Sequence, residues 1–128
     1  MTVEREPGPE GLSFSGSLRV RGTGTWIYVS GKFGTDESGS FVDGGLAEQA
    51  RAALENVLRA LRAASGTPSD VVKVTAYLTS LDDYARYNEA RAEVFGSSLP
   101  ASTAIAIAGL IAPEALIEID AVAFVPES

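Results

Sequence analysis

The chain has 128 residues, a length typical of one domain that buries its own core. It contains no cysteine and no histidine, which excludes disulfides, a thiolate nucleophile, an imidazole base and a Ser-His-Asp triad. The formal net charge of −7 argues against binding to nucleic acid or to an anionic membrane surface. The carboxylates show no metal-ligand spacing, so no metal site is expected.

The N-terminal segment differs in composition from the rest of the chain. Residues 1–11 are polar and contain Pro7-Gly8-Pro9, which resists regular structure, so we expect a flexible arm before a single domain over residues 12–128. The arm lacks the apolar core of a signal peptide, and no apolar run in the chain reaches about 18 residues. We therefore expect a cytoplasmic protein without a membrane span.

Hydrophobic periodicity predicts the element order ββαβαββ. Alternation that begins at Leu18 and a β-branched, aromatic run over 26–30 predict two short strands. A helix over about 45–65 follows, because one apolar stripe runs along it and Gly66 provides a natural stop. The remaining elements are a strand over 71–78, a helix from Ser80 to about Gly96, and strands over 101–108 and 116–125 joined as a hairpin.

The last two predicted strands carry apolar residues on both faces. On the final strand, Ile117 and Ile119 point to one face, whereas Leu116 and Val122 point to the other. Two helices can cover only one face of such a sheet. The other face must be buried in another way, and self-association is the simplest.

Several short motifs, spread in order over residues 13–125, carry a family resemblance. They are Tyr28-Val29-Ser30-Gly31, Leu54-Glu55-Asn56-Val57, Asp70-Val71-Val72-Lys73-Val74, Tyr84-Ala85-Arg86-Tyr87-Asn88, Pro100-Ala101-Ser102-Thr103 and Ile117-Glu118-Ile119-Asp120-Ala121. Together they resemble the Rid/YjgF family, also called the reactive-intermediate deaminase family. The resemblance implies a chorismate-mutase-like α+β fold with two helices on one face of the sheet. It also implies a homotrimer around a central barrel, with small-molecule sites between subunits.

The resemblance also indicates a reaction class. The best-known members hydrolyse reactive enamines and imines, made from amino acids by pyridoxal-phosphate enzymes, to keto acids and ammonia without a metal or organic cofactor. In those members an arginine follows the Pro-Ala of the penultimate strand and holds the substrate carboxylate with two hydrogen bonds. Here that position is Ser102, and the family tyrosine of the first strand is replaced near Ser17. We therefore expect an atypical imine or enamine hydrolase rather than a standard imino-acid deaminase.

Two other functions stay open, because function resides in the site rather than in the fold. One is a specialised biosynthetic catalyst of cyclisation, dehydration or hydrolysis that reuses the cleft between subunits. The other is a non-enzymatic, ligand-binding trimer.

Glu118 is the candidate catalytic residue, because it matches the family acid that positions or activates water. A carboxylate on an otherwise apolar strand at a dry interface is suited to proton exchange with a substrate. The alternative is an interfacial carboxylate bonded to backbone or to a neighbouring subunit. Asp120 lies on the same face and is expected to make a structural hydrogen bond.

Three consecutive residues are candidates for the floor of the substrate pocket. Ser30 and Gly31 match the family's floor, where a glycine permits close approach of the backbone. The alternative is a bulge at the end of a strand. Lys32 follows directly and is a candidate for the positive charge missing at Ser102, although such a lysine is more often solvated.

Two further residues complete the predicted substrate-binding set with Ser102. Asn88 matches a family pocket residue and shares a helical row with Tyr84, Arg91 and Phe95. Its alternative role is an amide that ties the helix to a loop. The aromatic ring of Phe14 is a candidate lid over the cleft, and its alternative role is simple packing.

Overall fold

Residues 3–127 are described by the computed structural model, and they form two sheets and two helices. In chain order the elements are β1 (Val3–Glu6), β2 (Ser17–Val20), β3 (Gly24–Phe33), α1 (Gly45–Ala63), a 3-10 turn (Pro68–Asp70), β4 (Val71–Leu78), α2 (Tyr84–Phe95), β5 (Ala101–Ala106) and β6 (Ile117–Pro126). β1 and β2 form one antiparallel sheet, and the other four strands form a mixed sheet of order β3-β6-β4-β5. The predicted α+β fold is confirmed.

The hydrophobic core lies between the two helices and one face of the four-stranded sheet. Leu54, Val57 and Leu61 on α1 are fully buried, as the apolar stripe predicts. They pack with Ile117 and Ile119 of β6, which the alternation assigned to a single face. Each such side chain contributes about 1.5–3 kcal/mol on burial. Within residues 3–127, no helix is long and apolar enough to cross a membrane.

The opposite face of the four-stranded sheet, here called the open face, carries no helix in the described part of the chain. Trp26 and Tyr28 on β3 are 47% and 76% exposed, and Ile105 on β5 is 41% exposed. Strand register places Tyr28 opposite Val122 and Ile105 beside Tyr77, so these apolar side chains share one surface. An apolar surface of this kind is typical of an interface.

The connection between β5 and β6 is not a hairpin, so that prediction is wrong. β5 runs parallel to β4, and α2 forms the crossover between them. β6 instead lies between β3 and β4, antiparallel to both. The turn residues over 109–115 are compatible with either connection. The choice is made by the β4-α2-β5 crossover, which places β5 at the edge of the sheet.

The N-terminal arm also differs from the expectation. Val3–Glu6, which was expected to be flexible, is a strand paired with β2. Its Arg5 side chain donates hydrogen bonds to the carbonyls of Leu99 at 3.1 Å and Ser69 at 3.0 Å, so the strand is held from both sides. The first two residues of the arm and the last residue of the predicted domain lie outside the described residues.

Helix α2 begins at Tyr84, four residues later than predicted. The Ser80 hydroxyl accepts a hydrogen bond from the backbone N–H of Asp82 at 3.1 Å, within a turn that precedes the helix. Such local side-chain bonds compete with helix formation, so the Ser80 signal marks a turn and not the helix start.

Candidate functional site

The predicted site residues form two groups, one at and beside the edge strand β3 and one around the edge strand β5. The β3-edge group comprises Ser30, Gly31, Lys32 and Glu118, and the β5-edge group comprises Phe14, Asn88 and Ser102. Glu118 lies on β6, two strands from Ser102 on β5, or about 10 Å at a spacing of about 4.8 Å per strand. Register pairs Glu118 with Tyr77, whose side chain is on the open face, but pairs Ser102 with the buried Val74 on the helix-covered face. One chain therefore does not bring Glu118 to Ser102.

In the β3-edge group, a bulge and a glycine bring the strand backbone against the candidate catalytic acid. Val29 pairs with Ala121 and Lys32 with Ile119, so two residues of β3 face one residue of β6. A Cβ added to Gly31 would lie 3.0 Å from Cγ of Glu118 and still closer to its carboxylate. Only a residue without a side chain lets the Glu118 carboxylate lie there.

Lys32 lies away from Ser102 within the chain. With Arg59, Ala60 and Ala63 of α1, it lines a shallow cavity on the helix-covered side of β3. Ser102 lies on β5, at the opposite edge of the sheet. The structure therefore does not bring Lys32 to the position of the missing arginine within one chain, and its role in substrate binding stays a prediction.

On the open face, polar side chains cluster beside Glu118. The Tyr77 hydroxyl donates a hydrogen bond to Oδ2 of Asp120 at 3.0 Å. That bond, with the negative charges of Asp120 and Glu118, raises the pKa of Tyr77 above its usual value. Asp120 thus makes a structural bond within the chain. In residues 3–127, no group of three acidic side chains is placed to hold a metal ion.

The β5-edge group surrounds a buried arginine that is not among the predicted site residues. Arg91 on α2 is fully buried. Its guanidinium donates to Oγ of Ser102 at 2.6 Å, to the Tyr84 hydroxyl at 2.9 Å, and to Oδ1 of Asn88 and Oγ of Ser13 at 3.0 Å each. All four acceptors are neutral. Throughout residues 3–127, no carboxylate lies within ion-pair distance of this guanidinium.

A buried charge without a counter-charge is rare, because loss of hydration is costly. Aromatic rings compensate for part of that cost here, since the Arg91 Cζ lies 5.2 Å from the ring centre of Phe14 and 4.7 Å from that of Tyr87. The Tyr87 hydroxyl has no hydrogen-bond partner within the described residues. Burial raises the pKa of Tyr87, although Arg91 and Ser102 lie near enough to offset part of that rise.

A cavity of about 480 Å³ opens beside this cluster. Its lining combines apolar side chains with two hydroxyl groups, and consists of Leu12, Phe14, Leu81, Tyr84, Ser102 and Ala104. This volume is suited to a small molecule. The cavity is here called the β5-edge pocket. Phe14 covers Arg91 and also lines the pocket, which is compatible with both predicted roles for its ring.

Asn88 makes the contacts expected from the alternative interpretation. Its Oδ1 accepts from the backbone N–H and the hydroxyl of Ser13, both at 2.8 Å, and its Nδ2 donates to the carbonyl of Gly11 at 3.1 Å. The amide thus ties α2 to the segment before β2 and orients Arg91. Direct contact between Asn88 and a substrate stays a prediction.

The sequence contained a signal for Arg91. Tyr84, Asn88 and Arg91 are spaced i, i+4 and i+7, so they share one row of α2. Because this row of α2 faces the protein interior, Arg91 is expected to be buried. A buried arginine is rare unless it is paired, so its position indicates a specific role.

Comparison with known proteins identifies the family. Residues 11–125 match the sequence model of the family described as Endoribonuclease L-PSP. A RutC family protein from Pyrococcus abyssi is 38% identical over 123 residues, which cover 95% of this chain and 93% of the relative. The human 2-iminobutanoate/2-iminopropanoate deaminase is 42% identical over 99 residues, which cover 76% of this chain and 71% of the relative. A crystal structure of a Rid family protein from Yersinia pestis aligns with a TM-score of 0.83 and 29% identity, covering 98% of this chain and 100% of that one. The chain belongs to the Rid/YjgF family.

Proposed function

We propose that this protein is a homotrimeric hydrolase of small reactive imines or enamines, with its active site between subunits. The observation that carries the proposal is that one chain keeps Glu118, on the open face of β6, apart from Ser102, on the helix-covered face of β5. A neighbouring subunit packed on the apolar open face can bring the Glu118 of one chain to the β5-edge pocket of the next. The human relative is named a deaminase of imino acids, which supports this reaction class.

The proposed reaction adds water to a C=N bond. Water attacks the carbon, a proton passes to the nitrogen, and ammonia leaves as the C–N bond of the tetrahedral intermediate breaks and a C=O bond forms. The reaction involves no oxidation or reduction, so the protein needs only to transfer protons. The Glu118 carboxylate, held against Gly31, is the group that takes the proton from water and returns it to nitrogen.

Ser102 sets the expected difference from relatives that carry an arginine at this position. A direct charge-assisted hydrogen bond contributes about 1.5–3 kcal/mol, whereas a neutral one contributes about 0.5–1.5 kcal/mol. A substrate carboxylate in this pocket cannot form a two-pronged contact with a cation at position 102. We therefore propose slower turnover of 2-aminoacrylate-type imino acids than in arginine-bearing family members.

The experiment produces imines in place and follows their hydrolysis. A flavin amino-acid oxidase or a pyridoxal-phosphate dehydratase supplies the imine, and the rate of keto-acid release is compared with and without this protein. Sedimentation equilibrium reports assembly of the 13.3 kDa chain. Faster release by a trimer supports the proposal, and a stable monomer at micromolar concentration contradicts the interface site. A trimer without hydrolysis favours the non-enzymatic ligand-binding alternative.

A further inference from the structure

We infer that Arg91 is a positioning residue that determines specificity, by turning the hydroxyls of Ser102 and Tyr84 into paired hydrogen-bond donors for a substrate carboxylate. The inference rests on the proposed function for the identity of the pocket.

The directions of the hydrogen bonds are fixed by the chemistry of arginine. A guanidinium only donates, so Oγ of Ser102 and the hydroxyl of Tyr84 must accept from Arg91 at 2.6 Å and 2.9 Å. Neither hydroxyl hydrogen can then point at Arg91. By distance and angle neither hydroxyl donates to another described residue, although Ser102 lies close enough to the Tyr87 hydroxyl to offset part of the rise that burial causes in the pKa of Tyr87. Both side chains line the pocket. The two O–H groups are therefore available to a ligand in the pocket.

The charge of Arg91 selects the kind of acceptor. Its guanidinium has no anionic partner among residues 3–127. An acceptor oxygen bonded to Ser102 would lie about 5 Å from the Arg91 guanidinium, given ordinary hydrogen-bond lengths. The rings of Phe14 and Tyr87 exclude water around the charge and limit its screening. An anionic oxygen is thus favoured over a neutral one.

The remaining walls indicate the size of the substrate. Leu12, Leu81 and Ala104 give the pocket an apolar lining beside the two hydroxyls. That lining suits a short alkyl chain attached to the carboxylate. The positive charge that other family members carry at position 102 is thus supplied here by Arg91, which lies behind the hydroxyls of Ser102 and Tyr84.

The test compares two probes that differ in charge and little in shape. 2-Oxobutanoate carries a carboxylate, and 2-oxobutanamide is its neutral counterpart. Dissociation constants for both are measured on the assembled protein by calorimetry or ligand-observed NMR. We expect the wild type to prefer the anion by about tenfold or more.

Variants separate the positioning role from a purely structural one. Ser102→Ala and Tyr84→Phe should each reduce the preference several-fold, because each removes one donor. Arg91→Met should abolish it, and Arg91→Lys should restore part of it. The matched control is Arg86→Met, since Arg86 lies on the same helix, is exposed and pairs with Glu89 at 2.9 Å. It should keep the wild-type preference.

Equal affinity for the two probes, no detectable binding of either, or a preference that survives Arg91→Met overturns the inference. If Arg91→Met does not fold, the test rests on Ser102→Ala and Tyr84→Phe, which alter partly exposed side chains. Both variants must then lose the preference for the anion and retain the wild-type melting temperature. Anion preference without imine hydrolysis supports the inference and rejects the proposed activity. Hydrolysis without anion preference supports the proposed activity and rejects the inference.

Discussion

The contact between Gly31 and Glu118 allows a sharp test of how the candidate catalytic acid is held. In Gly31→Ala, the new Cβ would lie 3.0 Å from Cγ and 2.8 Å from Cδ of Glu118, both shorter than an ordinary carbon contact. Gly31 does not adopt a left-handed conformation, so alanine imposes no backbone strain. The half-buried Glu118 side chain must therefore move its carboxylate.

The size of the effect follows from the role of the carboxylate. General acid–base catalysis contributes about 10²–10⁴-fold, and a shift of about 1 Å can cost about 10²-fold. We expect Gly31→Ala to lower kcat roughly 100-fold with little change in KM. Because Gly31 is exposed, the free energy of unfolding should change by less than about 1 kcal/mol.

The assay is keto-acid release from enzymatically generated imines, with thermal unfolding measured in parallel. Gly109→Ala is the matched control, since a Cβ at Gly109 has nothing within 4 Å. A near-wild-type kcat for Gly31→Ala would refute this reasoning, provided that Glu118→Gln is inactive. An equal loss in Gly109→Ala would show that the assay responds to something other than this contact.

Two further predictions concern single side chains. Glu118→Gln should lower turnover by about 10²–10⁴-fold and leave the assembly intact by sedimentation, because the amide keeps the shape but cannot accept the proton; dissociation of the variant would instead identify a structural carboxylate. Tyr87→Phe should raise the free energy of unfolding by about 1–3 kcal/mol in urea titrations at neutral pH, because it removes a buried hydroxyl that lacks a partner. Burial raises the pKa of Tyr87 in the folded protein, so the unfolded chain loses this proton first and wild-type stability falls as the pH rises above about 10. That alkaline loss should be smaller in Tyr87→Phe, and a less stable variant at neutral pH would contradict the reasoning.

The fold was predictable wherever one periodicity dominated. The stripe on α1 and the alternation on β6 each specify a buried face, and the structure buries both. The pairing of β5 was not predictable from such local patterns, because parallel pairing with β4 depends on where α2 packs. The strand at Val3–Glu6 was missed because it is held by long-range bonds from Arg5, which no local pattern reports.

The candidate site was predictable in part. The family resemblance assigned Gly31 and Glu118 to the substrate pocket, and the structure puts these two residues in contact, while their roles stay predictions. It offered Lys32 as the substitute cation because that residue is close in sequence to the pocket floor. Sequence proximity could not reveal that β6 and β4 separate β3 from Ser102. Arg91 lies 11 residues before Ser102 and outside the motif that carries it, and only the fold brings the two side chains into contact.

The link between Arg91 and Ser102 changes what restoring the family arginine should do. From the sequence alone, Ser102→Arg is expected to restore carboxylate binding. In the structure, Oγ of Ser102 lies 2.6 Å from the Arg91 guanidinium, so a second cation would be placed beside the first. Two like charges about 5 Å apart repel by about 3 kcal/mol at an effective dielectric constant of about 20. We expect Ser102→Arg alone to be destabilised by about 1–3 kcal/mol, without a gain in imino-acid turnover. The double variant Arg91→Met/Ser102→Arg should recover stability and gain turnover, which a double-mutant cycle would record as a coupling of about 0.5–3 kcal/mol. Additive free energies would show that the two side chains do not share one site.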